Sequence, residues 1–387
     1  MEKRDMNSSS TIYLDHATLA PPSHTLFSQM ERFAKKYWQS STAPYLQGKE
    51  PFASIESSIE MVQTLIGAHA TDSFQFCSSG MRALSEVYHS IYTHHMAENG
   101  KNHALIGQGE ERFGKILEPF SETLGVYSSR IPIDTQGRVT PDALREAITP
   151  KTGFVSLSWA HSLTGVVQPI EELGAICREK GILFHVDASQ VLGKLYFKFQ
   201  DLPIDYLTFE GTVIHGPKGS GALFAKKTAL FQGMLSEEIQ EDTLNLPALI
   251  GLGIAAKELM EAFEHLCLET FRLKERFERH ILRSLPKARV LFKEAMRLPT
   301  ITCLVFPSVM GELLAFHLRE RGVIASFKTR DTLARFLREA QFDRFESECA
   351  LTFSLSYTTT EEEVERAAHL VVDAVQNCQT FSGGIFQ

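Results

Sequence analysis

Two short stretches constrain most strongly what this chain can fold into. Residues Gly181 to Gln190 (GILFHVDASQ) carry an apolar, β-branched run, Ile182 to Val186, that ends on Asp187. Residues Tyr206 to Leu223 (YLTFEGTVIHGPKGSGAL) start with the apolar run Tyr206 to Phe209. They turn through Glu210-Gly211-Thr212 and His215-Gly216-Pro217-Lys218-Gly219, then enter a second apolar run, Gly221 to Phe224. Short apolar runs bounded by Gly, Pro and Asp read as buried strands joined by a turn-rich loop. In an open α/β sheet, functional side chains collect at the carboxyl ends of strands. Asp187 stands at such an end.

Helical and strand-like patterns alternate along the rest of the chain. Helical spacing marks His24 to Trp38 and Ile55 to Ile66, the latter stopped by Gly67. Ser73 to Cys77 reads as a strand, and Ser78-Ser79-Gly80 opens a helix from about Met81 to Met96. Such a turn presents free backbone N–H groups, which suit either a plain helix cap or an anion. Strands follow at His103 to Ile106 and Gly153 to Ser158, with a turn and a helix over Asp134 to Ile148 between them, Thr140-Pro141 as N-cap and first position, and a crossover helix at Pro169 to Lys180 after them. A long helical tract, Leu246 to Ile281, leads to a C-terminal part. It holds strands near Ala288 to Phe292, Ile301 to Phe306 and Ala350 to Ser356, helices at Gly311 to Arg321 and Thr360 to Gln376, and a further segment around Val323 to Phe327.

Composition narrows the partners. The chain has 387 residues, enough for two lobes, and a net charge of −8, which argues against nucleic acid and anionic membranes. The start has no apolar signal-peptide core, and no apolar run reaches membrane-span length. Six scattered cysteines lack CxxC or zinc-type spacing, so reduced cytoplasmic thiols are expected, with no metal site.

The order YLDHAT (Tyr13 to Thr18), FHVDASQ (Phe184 to Gln190), GPKGSGAL (Gly216 to Leu223) and TTTEEEVERA (Thr358 to Ala367) resembles the class V aminotransferases, and within them the cysteine desulfurases. The resemblance spans about residues 12 to 372. It implies an α/β chain of the pyridoxal phosphate (PLP) transferase fold type I. A mostly parallel large lobe would span 16–245, with a smaller α+β lobe from 1–15 and 246–387. It implies PLP as cofactor, an amino-acid-like substrate and a homodimer. It places the cofactor phosphate at Gly80, Met81 and Arg82, and puts Asp187 on the ring nitrogen and Gln190 on the ring hydroxyl. Phe113 falls where a histidine stacks on the ring, and Thr212 where a histidine precedes the lysine. Thr243 falls where a threonine crosses into the partner subunit. His161 stands near the expected ring.

Several positions depart from the family pattern. Counting back from Gly216, the Schiff-base lysine is Val213 and the phosphate serine is Glu210. The mobile cysteine position is Asp331, and the substrate-carboxylate arginine is Thr352. The phosphate-cup threonine is Arg82. The glycine-rich segment with its arginine is the acidic Leu235 to Asp242. Covalent attachment of PLP needs an amine, which valine lacks. Lys218 has its own counterpart in the family and is not taken for that amine. No residue is therefore assigned as catalytic. The expectation is a catalytically degenerate desulfurase-like protein acting through a protein partner. The alternative is a PLP-dependent enzyme with non-standard site residues. An ion pair between Arg82 and Glu210 is expected to fill the place of the phosphate.

Overall fold

The computed structural model describes residues 11–39, 50–96, 98–110, 125–229, 231–234, 243–326 and 332–383. Strand β1 (Ile12–Leu14) is followed by helices α1 (His24–Lys36) and α2 (Glu50–Ile66). The Ser23 hydroxyl caps α1 by accepting from Leu26 N–H. Strand β2 (Ser73–Cys77) turns through two serines into α3 (Gly80–Ser90), which runs on into a π-helical turn to Met96. Next come β3 (His103–Gly107), β4 (Tyr127–Ile131), α4 (Pro141–Ala147) and β5 (Thr152–Ser158). Thr140 caps α4, with proline at its first position. Helix α5 (Ile170–Glu179) crosses over to β6 (Leu183–Asp187), and β7 (Tyr206–Glu210) and β8 (Gly221–Ala225) follow.

These strands form one seven-stranded sheet in the order β2-β8-β7-β6-β5-β3-β4. The pairs β4–β3, β3–β5, β5–β6 and β6–β7 are parallel. Strand β8 is antiparallel to both β7 and β2, so it alone runs against the rest. The central strands are buried on both faces, which explains their nearly unbroken apolar runs. Strand β4 is different. Tyr127 to Arg130 are exposed at the sheet edge, and the segment carries no apolar alternation to announce it.

The remaining chain holds α6 (Leu246–Glu261), α7 (Thr270–Ser284), β9 (Arg289–Val290), β10 (Ile301–Val305), α8 (Gly311–Glu320) and β11 (Val323–Ala325). It closes with α9 (Thr332–Glu339), α10 (Arg344–Glu348), β12 (Ala350–Ser354) and α11 (Glu361–Gly383). The tract expected as one helix from Leu246 is two, parted by a π-helical turn at His265–Glu269. Thr360 opens α11 with a capping box: its hydroxyl accepts from Glu363 N–H at 3.2 Å, and Glu363 Oε2 accepts from Thr360 N–H at 2.9 Å. Strands β12-β10-β9 form an antiparallel sheet, and β1 pairs in parallel with β11, more than three hundred residues further along. The fold is α/β, and among the described residues no helix is long and apolar enough to cross a membrane.

Candidate functional site

The ends of β5, β6 and β7 meet the start of α3 and the segment after β1. Asp187 closes β6 beside Ser158 of β5. Its Oδ1 accepts from Ser189 N–H at 2.8 Å, which fixes the turn that follows. Gln190 is buried and donates from Nε2 to Ala17 O at 2.9 Å. Beneath these residues the sheet carries a buried polar chain. Tyr88 of α3 donates to Ser156 Oγ at 2.9 Å. His185 Nδ1 lies 2.8 Å from the same oxygen, and its Nε2 lies 2.9 Å from Thr208 Oγ1.

The start of α3 is occupied by a side chain of the protein itself. Glu210, the last residue of β7, accepts the Gly80 N–H on Oε2 at 2.8 Å. Its other oxygen, Oε1, accepts from Thr212 Oγ1 at 3.3 Å. The first N–H groups of a helix lack partners within the helix and carry a partial positive charge, so a carboxylate is stable there. Glycine is required at this contact, because a Cβ on Gly80 would lie 2.9 Å from Glu210 N. The expected Arg82–Glu210 pair is not formed. Arg82 pairs along α3 with Glu86, four residues on, Nη2 to Oε1 at 2.6 Å. Glu86 is itself buried, and its Oε2 accepts from Met234 N–H at 2.8 Å. Arg82 is therefore drawn away from Glu210, toward the segment that precedes α6. Met81 is half-buried beside it.

Val213 is buried in a single 3-10 turn, Gly211–Ile214, and Thr212 beside it is buried as well. Lys218 is exposed. Thr352 in β12 is fully buried and donates to Leu163 O at 2.6 Å. A hydroxyl spent in this way offers no fork to a carboxylate. Thr243 is exposed in the turn before α6. Phe113 and Asp331, and the acidic segment 235–242, lie outside the described residues.

The aminotransferase class-V family model matches residues 12–367. The chain belongs to the class-V aminotransferases. It is 29% identical over 383 residues to a cysteine desulfurase of Cereibacter sphaeroides, covering 96% of this chain and 97% of that one. It is 26% identical to the cysteine desulfurase NifS of Azotobacter vinelandii, covering 96% and 94%. Among solved structures it is similar to a NifS-like protein with a TM-score of 0.86 at 21% identity, covering 95% of this chain and 99% of that one. A NifS-like protein from Rickettsia africae superposes with a TM-score of 0.82 at 20% identity, covering 96% and 99%. These likenesses establish the PLP fold type I architecture.

Within this class-V site, sequence reasoning missed three features. Glu110, in the loop after β3, accepts from Ser158 N–H at 3.1 Å and from Ser158 Oγ at 2.9 Å. Burial pushes its carboxyl up to about 7 against those two bonds, and the negative charge of Asp187 adds to the rise. Two carboxyl groups thus share one end of the cleft. His161 is stacked on Phe336 of α9, with ring centroids 3.8 Å apart and planes 10° apart, while its Nδ1 lies 3.0 Å from Thr164 Oγ1. The segment after β1 holds unsatisfied groups. His16 Nδ1, Thr18 Oγ1 and Gln190 Oε1 are buried without a hydrogen-bond partner among the described residues. Burial first, and His215 next, hold the His16 imidazole down to about 3. No motif marked Glu110 or Phe336. His16 stands inside the quoted stretch Tyr13 to Thr18 but carried no reading of its own.

Proposed function

We propose that this chain is a cysteine desulfurase-like protein that has lost covalent PLP chemistry and works through a partner, keeping the fold as a binding scaffold. The observation that carries this reading is the Glu210 carboxylate on the Gly80 N–H. The helix start that would receive a cofactor phosphate already has its anion. A phosphate brought there would meet that carboxylate as a like charge at close range. Three neighbours support the same reading. The position of the Schiff-base lysine is the buried Val213, the position of the substrate arginine is the buried Thr352, and Arg82 is engaged with Glu86. The residues present thus do not fit PLP as a covalently held cofactor. The decisive experiment is to add PLP to the purified protein and reduce with borohydride. No visible absorption band and no borohydride-trapped adduct are expected. A reducible band would overturn the proposal.

One observation favours a second reading, in which the cleft still takes a small ligand over Asp187, as an enzyme with non-standard residues would. Gln190 Oε1, His16 Nδ1 and Thr18 Oγ1 are buried around the same segment with nothing to bond to, and buried polar atoms are ordinarily satisfied. Turnover of an amino acid, with or without PLP, would favour this reading over the first.

We also propose two lobes, 16–245 and 1–15 with 246–387. The seven-stranded sheet lies wholly inside the first span, and β9, β10, β11 and β12 lie inside the second, joined by β1. A cytoplasmic homodimer completes the reading. It is supported by the exposed Phe27 and Trp38 at the first long helix, 53% and 77% accessible. Sedimentation that finds only monomer at micromolar concentration would sink the dimer.

A further inference from the structure

Away from the cleft, α7, β9 and the segment before β10 enclose a groove of about 550 Å³. Its walls carry Arg279, Arg283, Lys293 and Arg297 against Glu275 and Glu278, with Phe271, Leu282 and Val290 as apolar lining. Lys274 adds a further cation. It is only 2% exposed, and its ammonium stands 4.9 Å from the centroid of the Phe271 ring. Its ammonium makes no hydrogen bond among the described residues, and Lys274 is not itself one of the lining residues.

The charges at the floor do not balance. The side chains of Arg297 and Glu278 are 8% and 9% exposed, and their one contact is long, Nη1 to Oε1 at 3.5 Å. That is the only hydrogen bond of the Arg297 guanidinium among the described residues, out of five donors. Elsewhere on the same helix the pairing is close: Arg272 meets Glu269 at 2.6 Å. Lys274 lies one helical turn from Glu278, and the charges of Glu278 and Glu275 both act on it. The ammonium of Lys274 is pushed down by burial and by the charge of Arg297. A buried charge is costly unless it is paired and hydrogen-bonded. The lining thus carries four cations, Arg279, Arg283, Lys293 and Arg297, against the two carboxylates of Glu275 and Glu278, in a chain whose net charge is −8.

We propose that this groove is a binding site for a small organic polyanion, a molecule with at least two phosphate or carboxylate groups on an apolar body. One anionic group reaches Arg297, whose contact with Glu278 is long. A second meets Arg279, Arg283 and Lys293 at the rim, and the apolar body lies along Phe271, Leu282 and Val290. The site is separate from the Asp187 cleft and does not depend on the reading proposed for that cleft.

The test uses the full chain, with inorganic pyrophosphate and citrate as probes and potassium chloride at matched ionic strength as control. Thermal unfolding and titration calorimetry are the readouts. Pyrophosphate, citrate or both should raise the melting midpoint where the chloride control does not. A response to pyrophosphate alone identifies a phosphate site, and a response to citrate alone a carboxylate site. Arg279→Ala and Lys293→Ala, both on the exposed rim, should each weaken binding by about tenfold, the worth of one charge-assisted hydrogen bond. Absence of any anion response beyond the chloride control overturns the proposal. So does a response that survives Arg279→Ala and Lys293→Ala unchanged.

Discussion

Glu210 Oε2 accepts the backbone N–H of Gly80 at 2.8 Å, joining the end of β7 to the start of α3 through a carboxylate. The contact links residues 130 positions apart, and it does the work of a helix cap with a side chain from another element. Ser79 supplies the ordinary cap, its hydroxyl accepting from Arg82 N–H. Glu210 satisfies the N–H that this serine leaves free.

Replacing Glu210 should therefore have two effects. Glu210→Ser removes the anion from the helix start and should cost about 1 kcal/mol of stability, the scale of a lost cap. Inorganic phosphate should recover part of that loss in the variant, and should do less for the parent protein. Thermal unfolding of both proteins with and without phosphate measures this. Equal stability of the two proteins, with no phosphate response in the variant, would remove Glu210 from the role given to it here.

The central strands were legible because burial on both faces asks for nearly unbroken apolar runs, broken here only at His185 and Thr208, whose polar groups pair with each other. Phe184 to Val186 and Tyr206 to Phe209 read as strands once Asp187 and Glu210 end them. Edge strand β4 was not legible, since Tyr127 to Arg130 face solvent and no pattern is imposed on them. At the helix start the sequence placed two opposite charges, Arg82 and Glu210, in one neighbourhood. Which partner each would take is decided by geometry. The i,i+4 spacing of Arg82 and Glu86 was already a signal for the pair that forms. Glu110 and Phe336 were invisible because their roles depend on the loop after β3 and on helix α9 each meeting residues far away in sequence, and such contacts leave no periodicity.

The cysteines give a sharper test of degeneracy. Cys303 and Cys349 are fully buried, and burial pushes the Cys303 thiol up to about 12. Cys77, Cys177 and Cys378 are buried as well, while Cys267 is half-buried. The thiolate is the reactive form, so thiols held protonated in apolar surroundings are inert. Titration of the native protein with a thiol reagent should show at most one accessible thiol, and peptide mapping should place it at Cys267. Rapid modification of Cys303 or Cys349 in the folded protein would contradict their burial and reopen them as sulfur carriers.

His185 is one of the buried histidines, with His16 and His215, that limit the fold toward acid. Burial between β5 and β7 holds its imidazole down to about 3, from an ordinary value near 6.5. A depressed group contributes stability that is present above the unfolded value and is lost as pH falls toward the folded one. The loss should begin near pH 6.5 and reach on the order of 2 kcal/mol by pH 5 from this residue alone. His185→Gln can still hydrogen-bond Ser156 or Thr208 without titrating. It should be less stable than the parent at pH 7 and lose less on acidification. Chemical denaturation at pH 7 and pH 5 provides the comparison. Parallel losses in the two proteins would show that His185 is not the group responsible.

Glu110 should act in the opposite sense. Its carboxyl is pushed up to about 7 in the folded chain, against 4.5 when unfolded, by burial first and with a contribution from Asp187. Between those values the folded protein holds a proton that the unfolded chain has released. Stability from this group is therefore full at low pH and falls as pH rises from about 4.5 to about 7. Above that, two carboxylates face each other at the end of the cleft. Glu110→Gln keeps an acceptor for Ser158 N–H and cannot ionise. Relative to the parent protein it should gain stability steadily between pH 5 and pH 8, so that the difference in melting midpoint grows with pH. A difference that stays flat across that range would mean that Glu110 titrates as an ordinary surface acid and that the carboxyl pair is not coupled. A difference of the reverse sign would mean that the nearby charge of Arg130 outweighs burial and keeps Glu110 ionised in the fold.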